Sequence, residues 1–293
     1  MKILFLFFVA VEVVLTYADC QQKYVYVKNG SELNSFLKTN IDPGTNIILT
    51  PGQTYSLKND HFQASFQGKI DCPIVFKTED LGNSDEYATV ASAFSLLSYS
   101  EYAVFANVVF TGGSDATAVA SSENVLFENV YFSSSNQETG VGMRIDRYVS
   151  NFTFRNCTFE KNSFVGFYSD GVEAKTVSFE QCRFVDNGLK DMLISAGNDI
   201  SINDCTFDGD PYVGILSIQT LDIRDNVFNT TTKQTKNMRL YLASSETKGI
   251  RNNVFYMESG VAIYPLDTEK LICISNKVYG GGALTNAKID DSC

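Results

Sequence analysis

The chain has 293 residues, 44% hydrophobic and 13% aromatic, with one His and a formal net charge of −11. No Lys/Arg cluster is available to neutralise phosphates, so nucleic acid is excluded as a partner. A lone His, with no Cys pairs spaced two to four apart, argues against a zinc site. Acidic polysaccharides are disfavoured by the charge but not excluded, because a local basic cleft or bound calcium would override the net field.

Residues 1–18 read as a signal peptide. Lys2 gives the positive start, Ile3 to Leu15 the apolar run, and Thr16-Tyr17-Ala18 a small residue for cleavage. The run is short for a membrane span, so the mature chain is expected to be secreted, with no membrane partner. Residues 19–57 read as an N-terminal cap and first coil. Ser31 to Leu37 is predicted as a short helix with Ser31 at its start. Asp42-Pro43-Gly44 makes a turn, and Asn46 to Leu49 and Gln53 to Leu57 are the first predicted strands. Residues 58–279 are assigned to a parallel β-helix and 280–293 to a C-terminal tail.

The assignment rests on eight copies of one phrase: apolar, any residue, polar, two residues, aromatic. Its polar positions are Asn107, Asn129, Asn156, Gln181, Asp204, Asp225, Asn252 and Asn276, advancing by 21 to 27 residues. A drifting period in that range indicates a solenoid. Apolar residues alternate before the polar residue and slip by one after it, as in Phe152, Phe154 and then Cys157, Phe159. A slip of one inverts every later side chain unless the backbone bends. Asn and Asp tolerate the left-handed conformation of such a bend. Asn107, Asn129, Asn156, Asn252 and Asn276 are therefore expected to form an internal structural ladder. The aromatics Phe110, Phe132, Phe159, Phe184, Phe207, Phe228, Phe255 and Tyr279 are expected to stack in the core. Short apolar stretches between phrases, such as Val141 to Ile145 and Met238 to Leu242, supply a third strand per coil. Tyr168, Tyr241 and Tyr264 lie on these strands and are better placed to meet a sugar than the core column.

Of seven cysteines, Cys273 and Cys293 are expected to staple the tail, and Cys20 and Cys72 the N-terminus. Cys157, Cys182 and Cys205 share one repeat position and read as buried small hydrophobes, although an adjacent pair could be oxidised. Sequons occur at Asn29, Asn151, Asn156 and Asn229, of which Asn29 and Asn229 are expected in exposed turns and open to glycan in a eukaryotic host.

The repeats resemble the right-handed parallel β-helix of the pectin lyase-like superfamily. The run Ile41 to Tyr55 is similar to the first coil of many of its members. Gly68 to Lys77 is similar to the second coil of the chondroitinase B and alginate lyase family. The resemblance implies an all-β, single-domain solenoid of about 8–10 coils with a short helical cap. It carries no single activity, since the superfamily includes lyases, hydrolases, esterases, tailspikes and adhesins. The Gly-His-Gly of polygalacturonases is absent, as are the Lys-Ser and Arg-His-Gly stretches of the alginate lyase family. That family is implied to use a Lys base and an Arg, with calcium held by Asn and Glu.

β-Elimination on a uronide needs a base for the C5 proton and a cation to neutralise the carboxylate. Arg144, Lys161 and Lys190, on or near third strands, are the candidate catalytic residues. Asp170, Asp191, Arg239 and Tyr241 are candidates for binding on the same side. No cofactor is evident; calcium is admitted but no ligand set is assigned. The same residues also read as ordinary solvated surface. Two functions remain: a secreted lyase on a uronic-acid polysaccharide, or a non-catalytic module that binds glycans or protein partners. The first requires Arg144, Lys161 and Lys190 to converge.

Overall fold

A computed structural model describes residues 20–285 apart from 58–61, 81–85, 93–94, 113–114, 135–139, 170–173, 210–211, 231–237, 244–246 and 267–270. The chain is an all-β parallel solenoid with one helix among the described residues. Each coil runs through a first strand, a sharp corner, a short second strand, a second corner and a third strand. One complete coil is Val149–Arg155, Thr158–Glu160 and Val165–Ser169. First and second strands join one bent 19-stranded sheet, and third strands form a separate 10-stranded sheet.

The polar residue of the phrase makes the first corner. Asn107, Asn129, Asn156, Gln181, Asp204, Asp225 and Asn252 all have φ between 53° and 59° except Asn156 at 50°. That left-handed step absorbs the parity slip, so Phe154 before it and Phe159 after it both face the core. This ladder lies on the outside of the corner and not inside as expected, because the left-handed step turns the polar side chain outward: Asn129 donates to Asn107 (2.9 Å), Asn156 to Asn129 (2.6 Å) and Asn252 to Asp225 (3.1 Å).

One residue further on lies a second, buried ladder. The side-chain amides of Asn226, Asn253 and Asn276 donate to the carbonyls of Ile202, Ile223 and Ile250 in the preceding coil, at 2.8–3.0 Å. Asn226 also donates to Asn253, and Asn253 to Asn276. Cys157, Cys182 and Cys205 occupy this column in earlier coils, reduced and buried. Their thiols point to the carbonyls of Phe127, Phe154 and Phe179 at 3.3–3.6 Å. The cysteines thus do the asparagines' job with a weaker donor.

The last repeat is one residue out of the expected alignment. Arg251 pairs with Ile274 and Phe255 with Val278. Ser275 therefore takes the left-handed corner at φ 56°, and Asn276 belongs to the buried ladder. Tyr279 pairs with Tyr256 outside the core and is 49% exposed, so it is not the end of the core column. The hydrogen bonds of Asn276 fix this register more strongly than the match of Ile274 to Ile250. From Phe132 to Phe255 the core rings stack at 4.7–4.9 Å with planes within 16° of parallel. That spacing is the distance between neighbouring strands.

The cap differs in detail from the sequence reading. Lys23–Val27 is already a strand, paired in parallel with Thr45–Leu49, so stacking begins before the helix. The helix is Gly30–Leu37, and its N-cap is Asn29, not Ser31: the Asn29 side chain accepts from the Glu32 amide at 3.0 Å. Cys20 and Cys72 form the expected disulfide. Cys273 is also disulfide-bonded, and its expected partner, Cys293, lies outside the described residues. At the C-terminus, Ala283–Thr285 still pairs with the third strand Val261–Pro265, so the last coil extends into the expected tail.

Candidate functional site

The outward face of the third-strand sheet carries one distinctive row. Parallel register aligns Arg144, Tyr168, Leu193, Gly214, Tyr241 and Tyr264, one residue per coil. Alternation explains the row: Met143, Phe167, Met192 and Leu240, each one residue earlier, are fully buried. Tyr168, Leu193, Tyr241 and Tyr264 are half-buried. Tyr241 and Tyr264 stack with centroids 5.9 Å apart and planes within 12°. Gly214 would break the row, but Tyr212 lies across it. A Cβ on Gly214 would sit 3.1 Å from the Tyr212 ring and 3.1 Å from Leu193. Burial, with a contribution from neighbouring Tyr241, raises the Tyr212 hydroxyl above its ordinary pKa. From Tyr168 to Tyr264 the row spans four coil steps, roughly 19 Å at the spacing of parallel strands.

The charged candidates take up separate positions. Arg144 stands at one end of the row and grips Asp146, with Nε 2.7 Å from one carboxylate oxygen and a terminal nitrogen 3.4 Å from the other. Lys190 is the first residue of the strand Lys190–Ile194, and its amine lies 5.3 Å from the centroid of the Tyr212 ring. Two coils and three positions separate Arg144 from Lys190, roughly 14 Å between Cα atoms. Lys161 sits at the second corner with φ 53°, its side chain 70% exposed and its amine 3.7 Å from Glu160 on the second-strand face. The three cations do not form one constellation.

Asp191 and Arg239 were expected to face a groove, but each is only 3% exposed. They share a register line with Gly142 and Gly166, where the third strand leaves its corner. Room there is scarce: a Cβ on Gly142 would lie 2.5 Å from the Gly166 carbonyl. Asp191 ends a ladder at this corner. Asn162 donates to Phe132 O and Asn187 Oδ1, and Asn187 donates to Phe159 O and to Asp191 Oδ1 at 2.9 Å. Asp170 lies outside the described residues. Tyr241 lies on its third strand in register with Tyr264. Leu193 and Tyr212 were missed, although a Gly at an outward strand position is a signal that a neighbouring side chain approaches closely.

No group of three or more His, Cys, Asp or Glu side chains converges among the described residues. Asp146 is taken by Arg144, and Asn162 and Asn187 are consumed by backbone groups.

The family model described as a right-handed β-helix region matches residues 92–255 and again 148–288, more than half of the chain. The protein belongs to the right-handed β-helix family. An alginate lyase from Paenibacillus sp. str. FPU-7 superposes with a TM-score of 0.70 at 15% identity, covering 90% of this chain and 98% of that one. Pectate lyase Pel9A gives 0.58 at 14% identity over 92% and 80% of the two chains. PfbA, a surface adhesin of Streptococcus pneumoniae, gives 0.55 at 12% identity over 90% and 91%. Likeness at such identities establishes the fold, shared by lyases and an adhesin alike. Comparison with curated proteins finds no match.

Proposed function

We propose that the protein binds a polysaccharide along the third-strand face without cleaving it. The row of Tyr168, Leu193, Tyr212, Tyr241 and Tyr264 carries this reading: an apolar side chain recurs once per coil, and four of the five are tyrosines whose hydroxyl tips can fix orientation. A neighbour in the fold is a surface adhesin, which supports a binding role. The Cys20–Cys72 disulfide and the expected signal peptide support an extracellular location. N-terminal sequencing of exported protein should then begin just after Ala18.

A lyase on a uronic-acid polysaccharide is the second reading, supported by the full-length likeness to an alginate lyase. Lys190 would be its base, being the lysine on the tyrosine face. It would need a cation for the substrate carboxylate, and Arg144 is both distant and held by Asp146. The deciding experiment incubates intact protein with a polysaccharide panel. Retention of a polymer, weakened in Tyr241→Ala, without growth of ultraviolet-absorbing unsaturated product, supports binding alone. Product that vanishes in Lys190→Ala makes the protein a lyase.

A further inference from the structure

We infer that the polymer held on the third-strand face is a neutral polysaccharide rather than a polyuronate or sulfated glycan. The inference rests on the binding reading above and names its ligand class.

The described arginines on this face are already engaged. Arg144 is clamped by Asp146 at 2.7 Å. Arg239 is buried and has partners of its own, as has Asp191 on the same register line. The Lys190 amine lies 5.3 Å from the centroid of the Tyr212 ring, a contact that leaves its charge in place. The other faces repeat the pattern. Arg155 sits between Glu128 and Glu180 at 3.6 and 3.1 Å, Arg251 and Arg224 share Asp222, and Arg183 meets Asp208. A polyanion would have to compete with carboxylates already paired to Arg144, Arg155, Arg183, Arg224 and Arg251. It would do so against a net charge of −11, whose field opposes its approach.

Besides these charges the face carries the half-buried Tyr168, Leu193, Tyr241 and Tyr264, with Tyr241 stacked on Tyr264 and Tyr212 beneath the Lys190 amine. The strands that carry these side chains recur at about 4.8 Å, and the Tyr241 and Tyr264 rings at 5.9 Å, close to the length of one pyranose in an extended chain. Successive sugars can therefore lie against successive coils. The apolar faces of neutral pyranoses suit Leu193 and the ring edges of the tyrosines, and their hydroxyls suit the phenol tips. Such binding gains little from charge and is not weakened by salt.

The test is affinity electrophoresis of the intact protein through gels holding xylan, mannan, mixed-linkage glucan, alginate, polygalacturonate or chondroitin sulfate, at low and high salt. Retardation is expected in at least one neutral polymer. Its dissociation constant should change less than about twofold with salt. Tyr241→Ala should weaken binding by about tenfold, the loss of one stacked ring. Tyr241→Phe, which keeps the ring, should retain most of it. Retardation confined to anionic polymers and lost at high salt would overturn the neutral assignment while leaving the glycan-binding reading standing. No retardation in any polymer would overturn that reading, and the neutral assignment with it. The wild-type salt response needs no variant, so a misfolded mutant cannot blur the outcome.

Discussion

At the residue scale, the buried corner column shows how one position can be filled in three ways. Val108 and Val130 begin it, Cys157, Cys182 and Cys205 continue it, and Asn226, Asn253 and Asn276 end it. Only the amide carries two donors and an acceptor, so the cost of deletion should differ along the column. Asn253→Ala leaves the Ile223 carbonyl and the Asn226 amide short of partners and should cost about 2–3 kcal/mol. Cys182→Ala should cost about 1 kcal/mol, since a weak thiol bond and little volume are lost. Urea denaturation of the two variants checks the difference, and equal losses would contradict the ladder account.

The same thiols make stability depend on pH. Burial raises the Cys182 and Cys205 pKa values well above ordinary, so both stay neutral in the folded chain. Their contribution is fully present below the unfolded thiol pKa, about 8.5. As pH rises beyond that, the unfolded state ionises first and the contribution is progressively lost, until it is gone above the folded-state values. A Cys182→Val, Cys205→Val variant should show a flatter decline between neutral and alkaline pH in thermal melts. An identical decline would place the titrating groups elsewhere.

Lys161 gives a further residue-scale prediction. It holds a left-handed φ of 53° that a long side chain disfavours. Lys161→Asn should raise stability by about 0.5 kcal/mol, because Asn adopts that conformation more readily. It should leave polymer binding unchanged, since the amine leans toward Glu160 on another face. Loss of binding in this variant would return Lys161 to the site.

At the scale of elements, the cap is held from two directions. The strand Lys23–Val27 covers the first-strand edge, while the helix Gly30–Leu37 packs over the second strand Thr54–Leu57. The Cys20–Cys72 bridge spans 52 residues and ties the strand to the second coil. Opening it with Cys72→Ser should cost about 2–4 kcal/mol. Hydrogen exchange should speed up first in Lys23–Val27, leaving the central coils protected, because each coil contacts mainly its neighbours. Uniform acceleration along the solenoid would instead indicate one cooperative unit. The sequons are also clarified by the elements that hold them. Asn29 is exposed and caps the helix through its oxygen, leaving that bond compatible with a glycan on nitrogen. Asn229 is not in a turn: it lies in the strand Val227–Thr230, half-buried, with its amide nitrogen 3.4 Å from Asp208. Glycan, where attached, is expected on Asn29 and not on Asn229, as mass spectrometry of glycopeptides would show.

For the whole molecule, the sequence by itself determined the coil. Apolar alternation, the one-residue slip and the left-handed tolerance of Asn and Asp are local properties, and repetition made them legible from Asn107 to Asn252. The N-terminal cap strand was less legible because Lys23–Val27 has no copy of the phrase to announce it. Tertiary structure alone decided the last register, where hydrogen bonds between Asn253 and Asn276 overrule the apolar match. It alone decided the fate of the candidate site as well. Strand alternation says that Arg239 and Asp191 project away from the core strip, but not that a crowded corner buries them. Nor does it say that Tyr212 crosses to cover Gly214, or that Arg144 turns to Asp146. Backbone periodicity is set within a coil, whereas the freedom of a charge is set by its neighbours in other coils and corners, brought close only by the winding of the chain.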